Sequence, residues 1–257
     1  MPVDCILETE RLSKEFKGFV AVDKVDLRVR RGSIHALIGP NGAGKTTCFN
    51  LLTKFLTPTA GRILFNGTEI TRDTPARIAE RGIIRSFQIS AVFPHLSVLE
   101  NVRVALQRKL PTSFHFWKSE RSLDSLNARA LELLREVDLV SYARLPTVEL
   151  AYGRKRALEI ATTLAMEPEL MLLDEPTQGM GIEDVDRIRQ LIKRVSVGRT
   201  VLMVEHNMSV VSSIADTITV LQRGATLAEG SYNEVSKNPA VIEAYMGSAN
   251  AELQGAH

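Results

Sequence analysis

Nine consecutive residues, Gly39-Pro40-Asn41-Gly42-Ala43-Gly44-Lys45-Thr46-Thr47, constrain this chain more than any other stretch. They follow the pattern G-x-x-x-x-G-K-[ST] and lie between segments of different character. Ile34-His35-Ala36-Leu37-Ile38 is an apolar run suited to a strand, and Thr47-Cys48-Phe49-Asn50-Leu51-Leu52 reads as a helix. A strand that curls through glycines into a helix makes consecutive backbone N–H groups converge. The helix start adds positive potential at the same point. Such a loop cradles the phosphates of a nucleotide. Lys45 is placed to reach β- and γ-phosphates, and the Thr46 hydroxyl to ligate Mg2+. The fold class that follows is α/β, with a phosphate-loop core.

Composition narrows what the nucleotide is for. The 257 residues suffice for one large domain, or a domain with a subdomain, and the 44% hydrophobic content suits an ordinary core. The net charge of +2 and the lack of a long basic block give no reason to expect a nucleic-acid partner. Two cysteines, Cys5 and Cys48, are too few for a disulfide scaffold and suit a reducing compartment. Cys48 is either a small buried residue or an oxidation-sensitive thiol beside the nucleotide. The N-terminus lacks a signal pattern, and no apolar stretch approaches the ~20 residues that span a bilayer. The expectation is a soluble chain that reaches a membrane only through a partner.

Along the chain, residues 3–38 read as short strands. Val25-Asp26-Leu27-Arg28-Val29-Arg30 alternates like a half-buried strand, and Gly61 to Gly67 forms another between turn residues. Thr74-Pro75 caps a helix. From about 97 to 166 the pattern is helical, with Leu126, Ala130, Leu133, Leu134 and Val137 at three- and four-residue spacing. Within it Phe114, Phe116 and Trp117 either pack under a loop or meet a membrane-embedded partner. Leu170 to Leu173 and Thr200 to Val204 are continuous apolar runs, as in strands buried on both faces of a parallel sheet. A helix from Glu183 to Val195 supplies the crossover between them. Residues 248–257 read as a small, polar, flexible tail.

Further candidate site residues stand at the ends of these runs. Asp174 and Glu175 close the first, at the strand edge where open α/β sheets bind ligands. There Asp174 would hold Mg2+ through water while Glu175 polarises the attacking water. His206 ends the next strand, and Gln88 follows Ile83-Ile84-Arg85-Ser86-Phe87. His206 would sense the γ-phosphate, and Gln88 would contact Mg2+ and the water. Leu150-Ala151-Tyr152-Gly153-Arg154 precedes an apolar helix; it is either an anion-binding helix start or a simple helix entry.

These pieces, in this order and over nearly the whole chain, resemble the ATP-binding cassette (ABC) ATPases. The resemblance implies a phosphate loop (Gly39 to Thr47), a glutamine loop (Gln88), a signature loop (Leu150 to Arg154), a carboxylate pair (Asp174, Glu175) and a switch histidine (His206). Phe16 falls where the family stacks an aromatic on adenine, with Phe19 close by. It further implies one ABC domain over 1–257. A nucleotide-binding core with an N-terminal antiparallel β subdomain would occupy 1–89 and 160–247. An inserted helical subdomain would occupy 90–159. Two chains would pair head to tail, so that Ala151, Tyr152 and Gly153 of one cover the ATP of the other.

The segments Val92 to Val102, Glu175 to Met180, Val204 to Met208, Leu227 to Gly230 and Val241 to Gly247 are similar to the ATPase subunits of bacterial branched-chain amino acid importers. Urea importer and lipopolysaccharide-export ATPases are near that branch. The partners so implied are a second ATPase subunit, membrane permease subunits and, indirectly, a solute-binding protein. The place implied is the cytoplasmic face of the inner membrane, peripherally. Ala151 departs from the usual serine and lacks a hydroxyl for the opposite γ-phosphate. A charge-assisted hydrogen bond of that kind contributes about 1.5–3 kcal/mol. Ala151 is also what favours the other reading, an ATP-gated dimerisation switch that turns over rarely. A GTPase or small-molecule kinase is disfavoured, since no Asn-Lys-x-Asp segment or substrate lid is present.

Overall fold

The computed structural model describes residues 4–86, 92–108 and 125–254, with 247–254 described by backbone alone. The N-terminal sheet is built on a long strand, β1 (Cys5–Phe16). It pairs antiparallel with β2 (Phe19–Val25), β3 (Arg28–Arg30) and β5 (Ala60–Phe65). Between these, β4 (Ile34–Ile38) leaves for the second sheet and runs into α1 (Lys45–Leu52). A short β6 (Thr68–Glu69) pairs with β5. The alternating run Val25 to Arg30 is therefore two strands rather than one. Thr9 causes the break: its hydroxyl donates to the Val25 carbonyl at 2.8 Å and accepts the Leu27 N–H at 2.8 Å.

After α2 (Pro75–Glu80), which Thr74 caps, comes β7 (Ile83–Ser86). The helical part holds α3 (Val98–Gln107), α4 (Asn127–Glu136) and α5 (Tyr152–Ala165). Ser97 and Glu100 form a reciprocal capping box that sets where α3 starts. α5 is one continuous helix, so the subdomain boundary expected at 159/160 falls inside it. The remainder is β8 (Leu170–Asp174), α6 (Ile182–Val195), β9 (Thr200–Val204), α7 (Met208–Ile214), β10 (Thr217–Gln222), β11 (Ala225–Gly230), α8 (Tyr232–Val235) and α9 (Pro239–Gln254). α9 carries helix past residue 247, beyond the expected end of the folded part; Ala249, Ala251, Glu252 and Leu253 are good helix formers.

The second sheet has the order β11-β10-β4-β9-β8-β7, parallel except for the antiparallel edge β11. Every residue of β4, β8 and β9 is buried. Successive side chains point to opposite faces. Ile34, Ala36, Met171, Leu173, Val201 and Met203 join the core under the helices. Leu37, Leu170, Leu172, Leu202 and Val204 join a second core, shared with α1 and the antiparallel sheet. Burying both faces explains why these strands read as unbroken apolar runs. It also aligns the C-terminal ends of β4, β8 and β9 at one edge, where the candidate residues lie. No helix among the described residues is long and apolar enough to cross a membrane.

Candidate functional site

The phosphate loop joins β4 to α1 with bare backbone at both ends. Gly39 has φ +150°, and a side-chain carbon there would lie 2.2 Å from the Leu221 carbonyl oxygen. Gly44, just before α1, has φ +99° and would place such a carbon 2.5 Å from the Ala21 carbonyl. Only glycine fits either position. The Gly224 N–H donates to the Ala43 carbonyl at 3.0 Å, which ties the loop to the β10–β11 turn. No side chain caps α1, so its first-turn N–H groups remain available to an anion. The cradle therefore suits phosphate, and the exposed Thr46 sits at its end.

Lys45 folds back over the loop. Its Nζ donates to the Gly39 carbonyl at 2.7 Å and the Pro40 carbonyl at 2.9 Å. Burial lowers its pKa, and the charges of Glu175 and Asp174 act against that shift. The same two carboxylates end β8 and diverge there. Asp174 is buried and ion-paired to Arg85, which also donates to Asn50 of α1 at 2.6 Å. Arg156 of α5 donates to the Asp174 carbonyl at 2.7 Å. Glu175 has φ +44°, rare for a residue with a side chain, and its N–H bonds the Val204 carbonyl at 2.9 Å. Glu175 Oε1 thereby lies 3.5 Å from His206 Nδ1. One acid faces the α1 side of the loop and the other faces the histidine. Thr46 and Asp174 offer the hard oxygen donors that suit Mg2+.

Ala151 is the N-cap residue of α5 and supplies no side-chain cap. Tyr152 donates its hydroxyl to the Gln178 carbonyl at 3.0 Å. A side-chain carbon on Gly153 would lie 2.6 Å from the Asp184 carboxyl carbon. Arg154 stacks 4.4 Å from the Tyr142 ring centre. The loop thus packs on residues 178–184 of its own chain. Phe16 stands opposite Phe19 in the β1–β2 hairpin, and both rings are exposed, with Lys14 Nζ 5.0 Å from the Phe16 ring. Asn41, Gly42 and Ala43 complete the loop. Gln88 lies outside the described residues, as do Phe114, Phe116 and Trp117.

Cys48 is fully buried, which pushes its thiol up to about 12, so it is a packing residue rather than a reactive one. Sequence reasoning missed Arg85, Arg156 and Glu205. Arg85 stands within an apolar run, Arg156 closes the basic triplet Arg154-Lys155-Arg156, and Glu205 directly follows β9. Burying such a charge requires a partner, and for Arg85 and Glu205 that partner lies far away in the sequence, where no local pattern marks it.

The ABC transporter family profile matches residues 22–178, and a branched-chain amino acid ATP-binding cassette transporter C-terminal profile matches 225–251. The high-affinity branched-chain amino acid transport ATP-binding protein BraF of Pseudomonas aeruginosa is 40% identical over 254 residues, covering 95% of this chain and 98% of BraF. LivG of Escherichia coli, of the same description, is 38% identical over 256 residues, covering 95% of this chain and 98% of LivG. Among solved structures, the ATP-binding cassette MJ1267 in its ADP conformation superposes with a TM-score of 0.82 at 30% identity, covering 95% and 99% of the two chains. The dimeric cassette MJ0796, bound to ADP and Pi, gives 0.73 at 26% identity, covering 88% and 98%.

Proposed function

Because this chain belongs to the ABC transporter ATP-binding family, we propose that it is the ATPase subunit that powers import of branched-chain amino acids, working as a pair beneath membrane permease subunits on the cytoplasmic face. The observation that carries the catalytic half of this reading is the contact of Glu175 with His206 at the strand edge that also presents the phosphate loop. The full-length similarity to BraF and LivG and the matched C-terminal segment carry the transport half.

In this reading the loop N–H groups and Lys45 hold the nucleotide phosphates, and Phe16 or Phe19 takes the adenine. Thr46 and Asp174, with Gln88, would hold Mg2+, which would supply positive charge to offset that of the phosphate oxygens. Glu175 accepts the proton of the attacking water. His206, beside it, fixes the carboxylate and faces the γ-phosphate. Ala151 to Gly153 of a second copy close the site through backbone donors, since Ala151 has no hydroxyl to offer. A solute-binding protein and the permeases select the cargo.

Reconstitution with permease and solute-binding subunits in vesicles tests the cargo. ATP-dependent accumulation of leucine, isoleucine or valine is expected. Urea uptake or lipid export without amino acid uptake would move the chain to a neighbouring branch.

A further inference from the structure

Each signature-like loop, in the reading above, serves the nucleotide of the other chain. A pair of such chains then needs some connection inside each chain between that loop and the chain's own hydrolytic residues. A set of hydrogen bonds, joined through the Thr177–Gln178 peptide, runs between those two places. Tyr152 Oη donates to the Gln178 carbonyl at 3.0 Å. The next residue back, Thr177, donates both its N–H (3.0 Å) and its hydroxyl (2.6 Å) to Glu205 Oε1. Glu205 Oε2 accepts the N–H groups of His206 (3.0 Å) and Asn207 (3.1 Å). The Gln178 N–H closes a turn onto the Glu175 carbonyl at 3.1 Å, which ties the two ends of the segment 175–178 together.

Glu205 is the centre of this set. It is 0% exposed and takes part in no described ion pair. Four donors surround its two oxygens. Only an acceptor-only group satisfies all four; an amide in its place would turn its NH2 against the His206 and Asn207 N–H groups in one orientation and against the Thr177 N–H in the other. The carboxylate thus clamps the turn after Glu175 to the backbone of His206. Tyr152 lies at the other end and is 42% exposed.

We propose that Tyr152, Thr177 and Glu205 are positioning residues that transmit the state of the Ala151–Gly153 loop to His206 and Glu175 of the same chain, and so couple the two ATP sites of the pair. This rests on the proposed ATPase reading.

Steady-state ATPase measurements on the full chain test it through a double-mutant cycle. Tyr152→Phe removes one oxygen, and Glu205→Gln removes the acceptor-only centre. Each is expected to lower kcat by about 5-fold or more with KM for ATP changed less than about 2-fold, as for groups acting on the transition state. The double variant is expected to be no slower than the slower single one, because both cut the same path. The Tyr152→Phe melting temperature is expected to match the wild type. If Glu205→Gln does not fold, Thr177→Val replaces it in the cycle, and Thr177→Ser is expected to recover most of the loss. Wild-type kcat in Tyr152→Phe, or losses that multiply in the double variant, would overturn the path. A Glu175→Gln control separates the two levels. Absence of ATP turnover in the wild type removes the ATPase reading itself, full turnover in that control removes Glu175 from the mechanism, and loss of turnover there alongside a fully active Tyr152→Phe removes only the path.

Discussion

Lys45 keeps its cation in a buried place because two carbonyls of its own loop accept its protons. Nearby Glu175 and Asp174 favour the charged form. Lys45→Ala should therefore abolish tight ATP binding in equilibrium titration; unchanged affinity would remove the loop from the site. His35 behaves oppositely. It is buried in β4, and burial, helped by Arg30, lowers its pKa to about 4. Thr219 donates to Glu229 at 2.6 Å, so its oxygen accepts from His35 Nε2 at 2.8 Å, and Nδ1 has no partner among the described residues. The neutral ring is the folded form. Between the usual histidine value and about pH 4, the unfolded chain takes a proton that the folded chain refuses, so stability falls as pH falls. The full effect is about 3 kcal/mol. Urea unfolding at pH 7 and pH 4.5 should show most of it in the wild type, and His35→Gln should lose that part of the slope.

At the scale of elements, capping and buried polar anchors decide where helices begin. α5 starts at Ala151 with no side-chain cap, so Ala151→Ser should add about 1 kcal/mol of stability. In the assembled pair it should also raise ATPase rate or dimer affinity. A higher urea midpoint without any change in turnover would assign the serine to capping alone. Asn101, buried in α3, holds the preceding loop: it accepts the Phe93 N–H at 2.7 Å and donates to the Phe93 carbonyl and to Thr147. Asn101→Leu leaves these groups unpaired and should cost about 2–4 kcal/mol, read as a lowered urea midpoint. The strand and helix runs around the phosphate loop were legible because each is set by its own local pattern. The break between β2 and β3 was not, because a hydroxyl 16 residues away makes it. Arg85 was equally hidden, since its partner Asp174 is 89 residues distant.

At the scale of the molecule, one parallel sheet buried on both faces brings the ends of β4, β8 and β9 together. Gly39 to Thr47, Asp174, Glu175 and His206 could be read from the sequence because each follows an apolar run that ends at that edge. What the sequence concealed is the wiring between these segments: the positive φ of Glu175, the clamp on Asp174 and the buried Glu205. Such contacts depend on strand register and leave no periodic trace. In the proposed function Glu175, set against His206, performs hydrolysis at this edge. Turnover of Glu175→Gln, measured beside its ATP affinity, tests it most directly. The prediction is a loss of roughly 10²–10⁴-fold in turnover with ATP binding retained. Wild-type turnover in that variant would contradict it.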